Sequence, residues 1–165
     1  MADVKKSKLF KNLKDIQHIK DVLVVLVKTE WNSDIVDELE KGCIKILKQY
    51  DIQTKTLTVP GAIEIPFAIQ QCWAKTNAPS VFIALACIIK GDTPHFEYVC
   101  QSVTQGITQL NISLQVPVVF GVLTVDTVKQ AQERIGGIHG HKGEEAALTA
   151  IKMMLLHKQI KEGNL

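Results

Sequence analysis

Four apolar stretches with the length of β-strands recur along the chain, and a helical pattern follows each of them. The stretches are Val22–Val27, Ile52–Val59, Val81–Ile89 and Pro117–Leu123, and the spacing of their starts, roughly thirty residues, is that of a βαβ unit. Apolar periodicity predicts helices over Ser33–Gln49, from the Pro60–Pro66 turn to Lys75, over Pro94–Leu114, over Thr127–Ile135 and from Gly140 to Gln159. Strands buried on both faces and joined by helices imply a parallel sheet. The pattern therefore predicts an α/β fold, a three-layer α/β/α sandwich around a central four-stranded parallel sheet.

A basic segment precedes the first predicted strand. Residues 1–20 contain most of the lysines of the first third of the chain, and we expect an N-terminal arm there, either solvated or contacting another subunit. Residues 21–165 contain no linker, repeat or low-complexity stretch, which predicts a single domain. The net charge of +2 gives no indication of nucleic-acid binding. With neither a signal-peptide core nor an apolar run long enough to span a bilayer, we expect a cytoplasmic protein that does not bind membranes.

The cysteines Cys43, Cys72, Cys87 and Cys100 each lie in an apolar context, and none forms a C-x-x-C pair. This is typical of buried free thiols rather than of a metal site or a disulfide set. A nucleophilic Cys100 stays open, but no neighbouring base or cation recommends it.

Ligands of open parallel sheets bind beyond the carboxyl ends of the strands. Unusual turns are predicted at that edge, over Thr29–Asp34, Val59–Glu64, Lys90–His95 and Gly121–Thr127. No G-x-G-x-x-G follows the first strand, no P-loop is present, and a bulky Trp31 stands in the first turn, which argues against NAD, FAD and ATP. A flavodoxin-like FMN protein would need a first loop rich in serine, threonine and glycine, which this turn matches only weakly.

The turn after the third strand, Lys90–His95, indicates chemistry. Gly91 permits a sharp turn, Thr93 can cap a helix, and Pro94 suits the first helical position. Backbone N–H groups at a helix start can hold an anion, and a histidine trades protons near neutral pH. We therefore expect chemistry on a phosphorylated small molecule, although His95 could also be an ordinary residue of the helix start.

Other candidates allow two interpretations. Trp31 is either a packing aromatic or a platform for a ring. Glu64 either complements a helix dipole or holds substrate hydroxyls and amines. Arg134 lies at the end of a short helix, where the helix dipole favours a cation. Lys142 lies at a helix start, where the dipole disfavours a cation. Lys142 is therefore either solvated or binds an anion or a polyol.

Four sequence blocks together resemble one family closely. They are Val59-Pro60-Gly61-Ala62-Ile63-Glu64-Ile65-Pro66, Gly91-Asp92-Thr93-Pro94-His95-Phe96-Glu97-Tyr98-Val99, Pro117-Val118-Val119-Phe120-Gly121-Val122-Leu123-Thr124 and Gly140-His141-Lys142-Gly143-Glu144-Glu145-Ala146-Ala147. In order and on the expected turns, they are similar to the signature blocks of lumazine synthases, with a flavodoxin-like fold.

The resemblance implies a transferase of riboflavin biosynthesis that condenses 5-amino-6-(D-ribitylamino)uracil with 3,4-dihydroxy-2-butanone 4-phosphate. The amine attacks the ketone, an imine forms, phosphate is eliminated, the ring closes and water leaves. No cofactor or metal is implied. A non-catalytic lumazine- or flavin-binding or shell-forming homologue is the alternative.

The resemblance also implies residue roles. His95 would shuttle protons. Trp31 would stack on the pyrimidine, Ile88, Ile89 and Lys90 would line the ring, and Ala62, Ile63 and Glu64 would hold the ribityl chain and the ring edge. Asp92, Thr93 and Arg134 would bind the phosphate, Phe120 would close the pocket, and Lys142 would reach the region of the ribityl chain and the phosphate.

A homo-oligomer of one or several pentamers is implied, with Phe120, Arg134 and Lys142 coming from the neighbouring subunit, and riboflavin synthase is implied as a further partner. The chain departs from the usual pattern at Trp31 and Ile63, where phenylalanine is common, and over Gly136–His141, where a loop with lysine and asparagine is usual. How far assembly proceeds and what the arm does do not follow from these residues.

Overall fold

The computed structural model describes residues 21–163, so the predicted arm of residues 1–20 lies outside the described residues. The elements are β1 (Leu23–Thr29), α1 (Ser33–Gln49), β2 (Gln53–Val59), a 3₁₀ turn (Ala62–Glu64), α2 (Ile65–Thr76), β3 (Val81–Ile89), α3 (His95–Ser113), β4 (Val118–Val125), α4 (Val128–Gln132), β5 (Ile135–Gly137), β6 (Gly140–His141) and α5 (Lys142–Lys161). The predicted alternation of strands and helices is confirmed.

The four long strands form a parallel sheet in the order β2-β1-β3-β4. Side chains of α1 and α5 pack on one face, and those of α2 and α3 pack on the other, so each face has its own apolar core. This is the predicted flavodoxin-like three-layer sandwich. The predicted apolar face of α1, which includes Val36, Leu39 and Cys43, is fully buried.

Burial of the strands differs with their place in the sheet. β3 lies between β1 and β4, and all its residues before Ile89 are buried. β2 is an edge strand whose side chains are mostly exposed, so the prediction that every strand is buried on both faces was wrong for it. Alternating threonines in β2 suit a strand by β-propensity without a buried core face.

The region between β4 and α5 differs most from expectation. The short helix ends at Gln132, not at Ile135, and Gly136–Gly137 lie in an antiparallel hairpin of β5 and β6 rather than after a helix end. Gly136 and Gly140 have φ angles of 117° and 77°, a conformation that glycine tolerates without a Cβ penalty. Gly136 and Gly137 are thus residues of β5, with an irregular register at Gly136, and Ile138 and His139 form the turn of the hairpin.

Among residues 21–163, no helix combines the length and hydropathy needed to cross a bilayer. Within the same residues, no group of three or more histidine, cysteine or acidic side chains is arranged to hold a metal ion.

Candidate active site

One cavity lies at the carboxyl ends of β1 and β3, where an open parallel sheet places its ligands. We call it the strand-end cavity; its volume is about 430 Å³, and its lining includes Trp31, Ala62, Ile63, Glu64, Ile88, Ile89 and His95. The structure thus brings together predicted residues of the first two turns with Ile88, Ile89 and His95, while Lys90, Asp92 and Thr93 lie outside this lining. Its walls are mainly apolar, and Glu64 and His95 are its ionisable side chains among the predicted residues.

The Trp31 side chain stands away from the core. It is 73% exposed, so it is not the half-buried packing aromatic that was one of its two interpretations. Its backbone N–H donates to the carbonyl oxygen of Pro60 (3.3 Å), and the Thr29 hydroxyl donates to the carbonyl oxygen of Trp31 (3.2 Å). The indole is therefore held by its backbone at the cavity rim, with its flat face free to stack on a ring.

Asn32, which the sequence reasoning missed, lies beside Trp31 in the same cavity. Its φ angle is 57°, in the left-handed region, and its side-chain amide donates to the carbonyl oxygen of Cys87 (2.8 Å). Asparagine is among the few residues that adopt this conformation readily, and that preference was the available signal. The bond joins the turn after β1 to the end of β3.

The turn Lys90–Pro94 is exposed at the rim of the sheet. Helix α3 begins at His95, one residue later than the predicted start at Pro94. The Thr93 cap was a wrong prediction, because no side chain caps this helix. Gly91 does not need to be glycine for space, since a Cβ there would meet nothing within 4 Å.

The backbone N–H groups of Asp92 and Thr93 are available to bind an anion. Among residues 21–163 they donate to no backbone carbonyl oxygen, whereas the N–H of Lys90 donates to Val125 (2.9 Å). Unpaired N–H groups at a helix start attract anions, so this turn keeps the chemical capacity that its sequence predicted.

Phe120 and Lys142 line a second cavity, the edge cavity, of about 440 Å³ between β4 and α5. It shares no lining residue with the strand-end cavity. Phe120 is 42% exposed although it lies in a strand, because β4 is an edge of the sheet. Lys90, Asp92, Thr93 and Arg134 line neither cavity.

Lys142 begins α5 with a carboxylate partner. Its Nζ lies 2.7 and 2.9 Å from the two carboxylate oxygens of Glu145, and its side chain is only 10% exposed. A solvated lysine is therefore excluded, and the helix start is balanced by an acidic residue three positions on, a spacing visible in the sequence. Arg134 lies just after α4, whereas the prediction placed it at the end of a helix that reaches Ile135, and its Nη1 donates to the carbonyl oxygen of Gln130 (2.7 Å).

The cysteine thiols are all free. Burial raises the pKa of the Cys87 thiol, which lines the strand-end cavity, to about 11. Burial, and then the charge of Glu97, also raise the pKa of Cys100. Both thiols therefore stay neutral near pH 7, which argues against either as a nucleophile.

Comparison with known proteins gives a consistent result. The family model described as 6,7-dimethyl-8-ribityllumazine synthase matches residues 21–158. A protein of that name from Porphyromonas gingivalis is 46% identical over 142 residues, which cover 84% of this chain and 88% of the relative. Proteins of the same name from Parabacteroides distasonis and Flavobacterium psychrophilum are 43% and 40% identical, covering 78% and 90% of this chain and 82% and 79% of their own lengths.

Proposed function

Because the chain belongs to the 6,7-dimethyl-8-ribityllumazine synthase family, we propose that its strand-end and edge cavities are the two halves of one active site. The chain is a transferase of riboflavin biosynthesis and acts on small molecules. The proposal concerns which residues do this work and on which copy of the chain they lie.

The strand-end cavity is the pyrimidine half of the site. Trp31 stacks on the uracil ring of 5-amino-6-(D-ribitylamino)uracil, with Ile88 and Ile89 along the ring and Lys90 at its edge. Ala62, Ile63 and Glu64 hold the ribityl chain and the ring edge. The observation that carries this assignment is the convergence of these residues other than Lys90, from separate turns of the chain, on one cavity whose volume suits a small ring.

The phosphate of 3,4-dihydroxy-2-butanone 4-phosphate binds beside that cavity. The backbone N–H groups of Asp92 and Thr93, with the Thr93 hydroxyl, donate to its oxygens. Because the Asp92 carboxylate would repel phosphate, Asp92 acts through its backbone. The guanidinium of Arg134 supplies a cation with geometry suited to phosphate.

His95 moves protons between the reacting groups. The amine of the pyrimidine attacks the butanone carbonyl, and loss of water gives an imine. Removal of a proton then allows phosphate to leave. The second amine attacks the remaining carbonyl, and loss of a second water closes the ring of the lumazine. Most of the rate comes from holding the two substrates together, with proton transfer added by His95.

Two copies of the chain are needed for this site. The residues Phe120 and Lys142 lie on the β4 edge, in a cavity that shares no residue with the strand-end cavity. A neighbour that presents its β4 edge, with Phe120, Arg134 and Lys142, to the strand-end cavity would complete it. Repetition of this head-to-tail contact closes a ring, for which we propose a pentamer or a multiple of pentamers in the cytoplasm. Riboflavin synthase, which would use the product, is a proposed partner.

Turnover by the purified protein tests the proposal. With both substrates present, we expect release of inorganic phosphate together with formation of a fluorescent lumazine, and neither with one substrate omitted. A protein that binds lumazine or flavin but forms no product from the two substrates would be a carrier or shell protein instead.

A further inference from the structure

His141 is wedged against the backbone of α1 at Gly42. Gly42 is buried, and a Cβ placed on it would overlap the imidazole ring, with Nδ1 at 2.5 Å and Nε2 at 2.9 Å. Carbon atoms in van der Waals contact are about 3.5–4.0 Å apart, so any larger residue at position 42 must displace the ring. The absence of a side chain at Gly42 therefore sets how closely His141 approaches α1.

The residues that follow Lys142 are also fixed to α1. A Cβ on Gly143 would overlap the backbone of Leu39, and the Cys43 thiol donates to the carbonyl oxygen of Gly143 (3.1 Å). Lys45 forms an ion pair with Glu144 (2.7 Å). Lys142 therefore lies between two anchored neighbours, His141 and Gly143, and cannot shift along α1 unless one of them moves.

The contact between Gly42 and His141 is also linked to Arg134 through the β5–β6 hairpin. The backbone N–H of Lys142 donates to the carbonyl oxygen of Arg134 (2.8 Å), and Ile135 pairs with His141 across β5 and β6. The two cations assigned to the edge half of the active site are thus joined by backbone contacts directly beside His141. A displacement of His141 would move both.

His141 contributes to this arrangement by its shape. Its Nδ1 is buried and has no hydrogen-bond partner among residues 21–163. The ring therefore acts as a spacer between α1 and the hairpin, rather than as a member of a polar network.

We propose that Gly42 and His141 form a positioning pair that fixes where Lys142 and Arg134 stand relative to the butanone phosphate. The inference rests on the proposed function, because it is the assignment of Lys142 and Arg134 to substrate binding that gives the wedge a functional effect. Neither residue of the pair touches the substrate in this account.

A double-mutant cycle on the purified full chain tests the proposal. The variants are Gly42→Ala, His141→Ala and the two combined, and the measurements are kcat, the KM of each substrate, and the midpoint of urea unfolding. In Gly42→Ala, we expect the KM of the butanone phosphate to rise by about 10- to 100-fold, since a misplacement of ~1 Å can cost up to 10²-fold. The KM of the pyrimidine should change by less than about twofold, because its cavity lies at the start of α1 and neither Gly42 nor His141 lines it.

Removal of the ring should relieve the clash. We expect His141→Ala alone to raise the KM of the butanone phosphate, but less than Gly42→Ala does, and the combined variant to fall to within about threefold of His141→Ala, which is the coupling expected for residues in contact. A combined variant as impaired as Gly42→Ala, or equal rises in both KM values, would overturn the proposal. If Gly42→Ala does not fold, the proposal is still refuted by a wild-type KM for the butanone phosphate in His141→Ala.

Gly106→Ala is the matched control. A Cβ at Gly106 would lie 2.6 Å from Cγ of Pro66, so the same methyl group strains a different helix contact, between α3 and α2. It should lower stability without a selective rise in the KM of the butanone phosphate. Wild-type turnover distinguishes failure of the proposed function from failure of the positioning pair. If the wild type forms no product, the proposed function is wrong. If the wild type turns over normally and the variant KM values are unchanged, only the positioning pair is refuted.

Discussion

The side-chain amide of Asn32 donates a hydrogen bond of 2.8 Å to the carbonyl oxygen of Cys87. This bond joins the turn that presents Trp31 to the end of the central strand β3, and it lies in the wall of the strand-end cavity. The turn after β1 is thus bonded to a strand whose residues are almost all buried. The position of the Trp31 indole is therefore fixed relative to β3.

Replacement of Asn32 should separate the effect of this bond from that of the backbone. Asn32→Gly keeps access to the φ of 57° but loses the bond, whereas Asn32→Ala loses both. We expect a loss of about 1 kcal/mol in the free energy of unfolding for the lost bond, and a further ~1 kcal/mol in the alanine variant for the left-handed backbone. Urea unfolding measures this, and the KM of the pyrimidine should rise in both variants. An alanine variant as stable as the wild type would contradict the account.

Arg134→Ala should weaken binding of the phosphate-bearing substrate selectively. Loss of a charge-assisted contact of about 1.5–3 kcal/mol corresponds to a rise of roughly 10- to 150-fold in the KM of the butanone phosphate. Steady-state kinetics with each substrate varied in turn measures it. Lys129→Ala removes an exposed cation from the neighbouring helix and should leave both KM values unchanged. Equal effects of the two variants would reduce the role of Arg134 to general electrostatics.

His95→Ala should lower kcat more than it raises either KM. Proton transfer by a positioned side chain typically contributes 10²–10⁴-fold, so a fall of ~10²-fold in kcat is expected. His157→Ala provides a histidine control in a cavity that contains none of the predicted site residues. If His95→Ala instead raised KM with kcat unchanged, His95 would be a binding residue only.

The raised pKa of Cys87 predicts a loss of stability in alkaline solution. Burial raises this pKa from 9.0 to about 11, so the folded chain keeps the thiol neutral while the unfolded chain ionises it. The stabilising contribution is therefore complete below pH 9 and is lost as the pH rises from there through about 11. Urea unfolding between pH 7 and pH 11 should show a weaker decline for Cys87→Ala than for the wild type. Parallel curves would indicate that the Cys87 thiol is not buried.

The sequence predicts the sandwich and the strand-end turns because both depend on local patterns, whereas the roles of Ala62, Ile63, Ile88 and Ile89 were implied only by the family resemblance. Apolar periodicity placed the β3 limits at Val81 and Ile89, as observed, and the predicted turns converge because parallel strands end at one edge. The β5–β6 hairpin was missed because glycine suits the irregular strand position of Gly136 as well as it suits the residue after a helix end. The Lys142–Glu145 pair and the Gly42–His141 wedge depend on rotamers and helix contacts, which spacing alone does not determine.

The most direct test of the split site is activity in mixed oligomers of two inactive variants. His95→Ala damages the strand-end half and Arg134→Ala the edge half, so no subunit of either variant is intact. Both are co-expressed with different tags and purified through both tags. If each site uses His95 of one copy and Arg134 of its neighbour, random mixing at equal amounts should restore about a quarter of the wild-type activity, since one neighbouring pair in four is intact at both positions. Activity no greater than that of the separately purified variants would contradict a site shared between subunits.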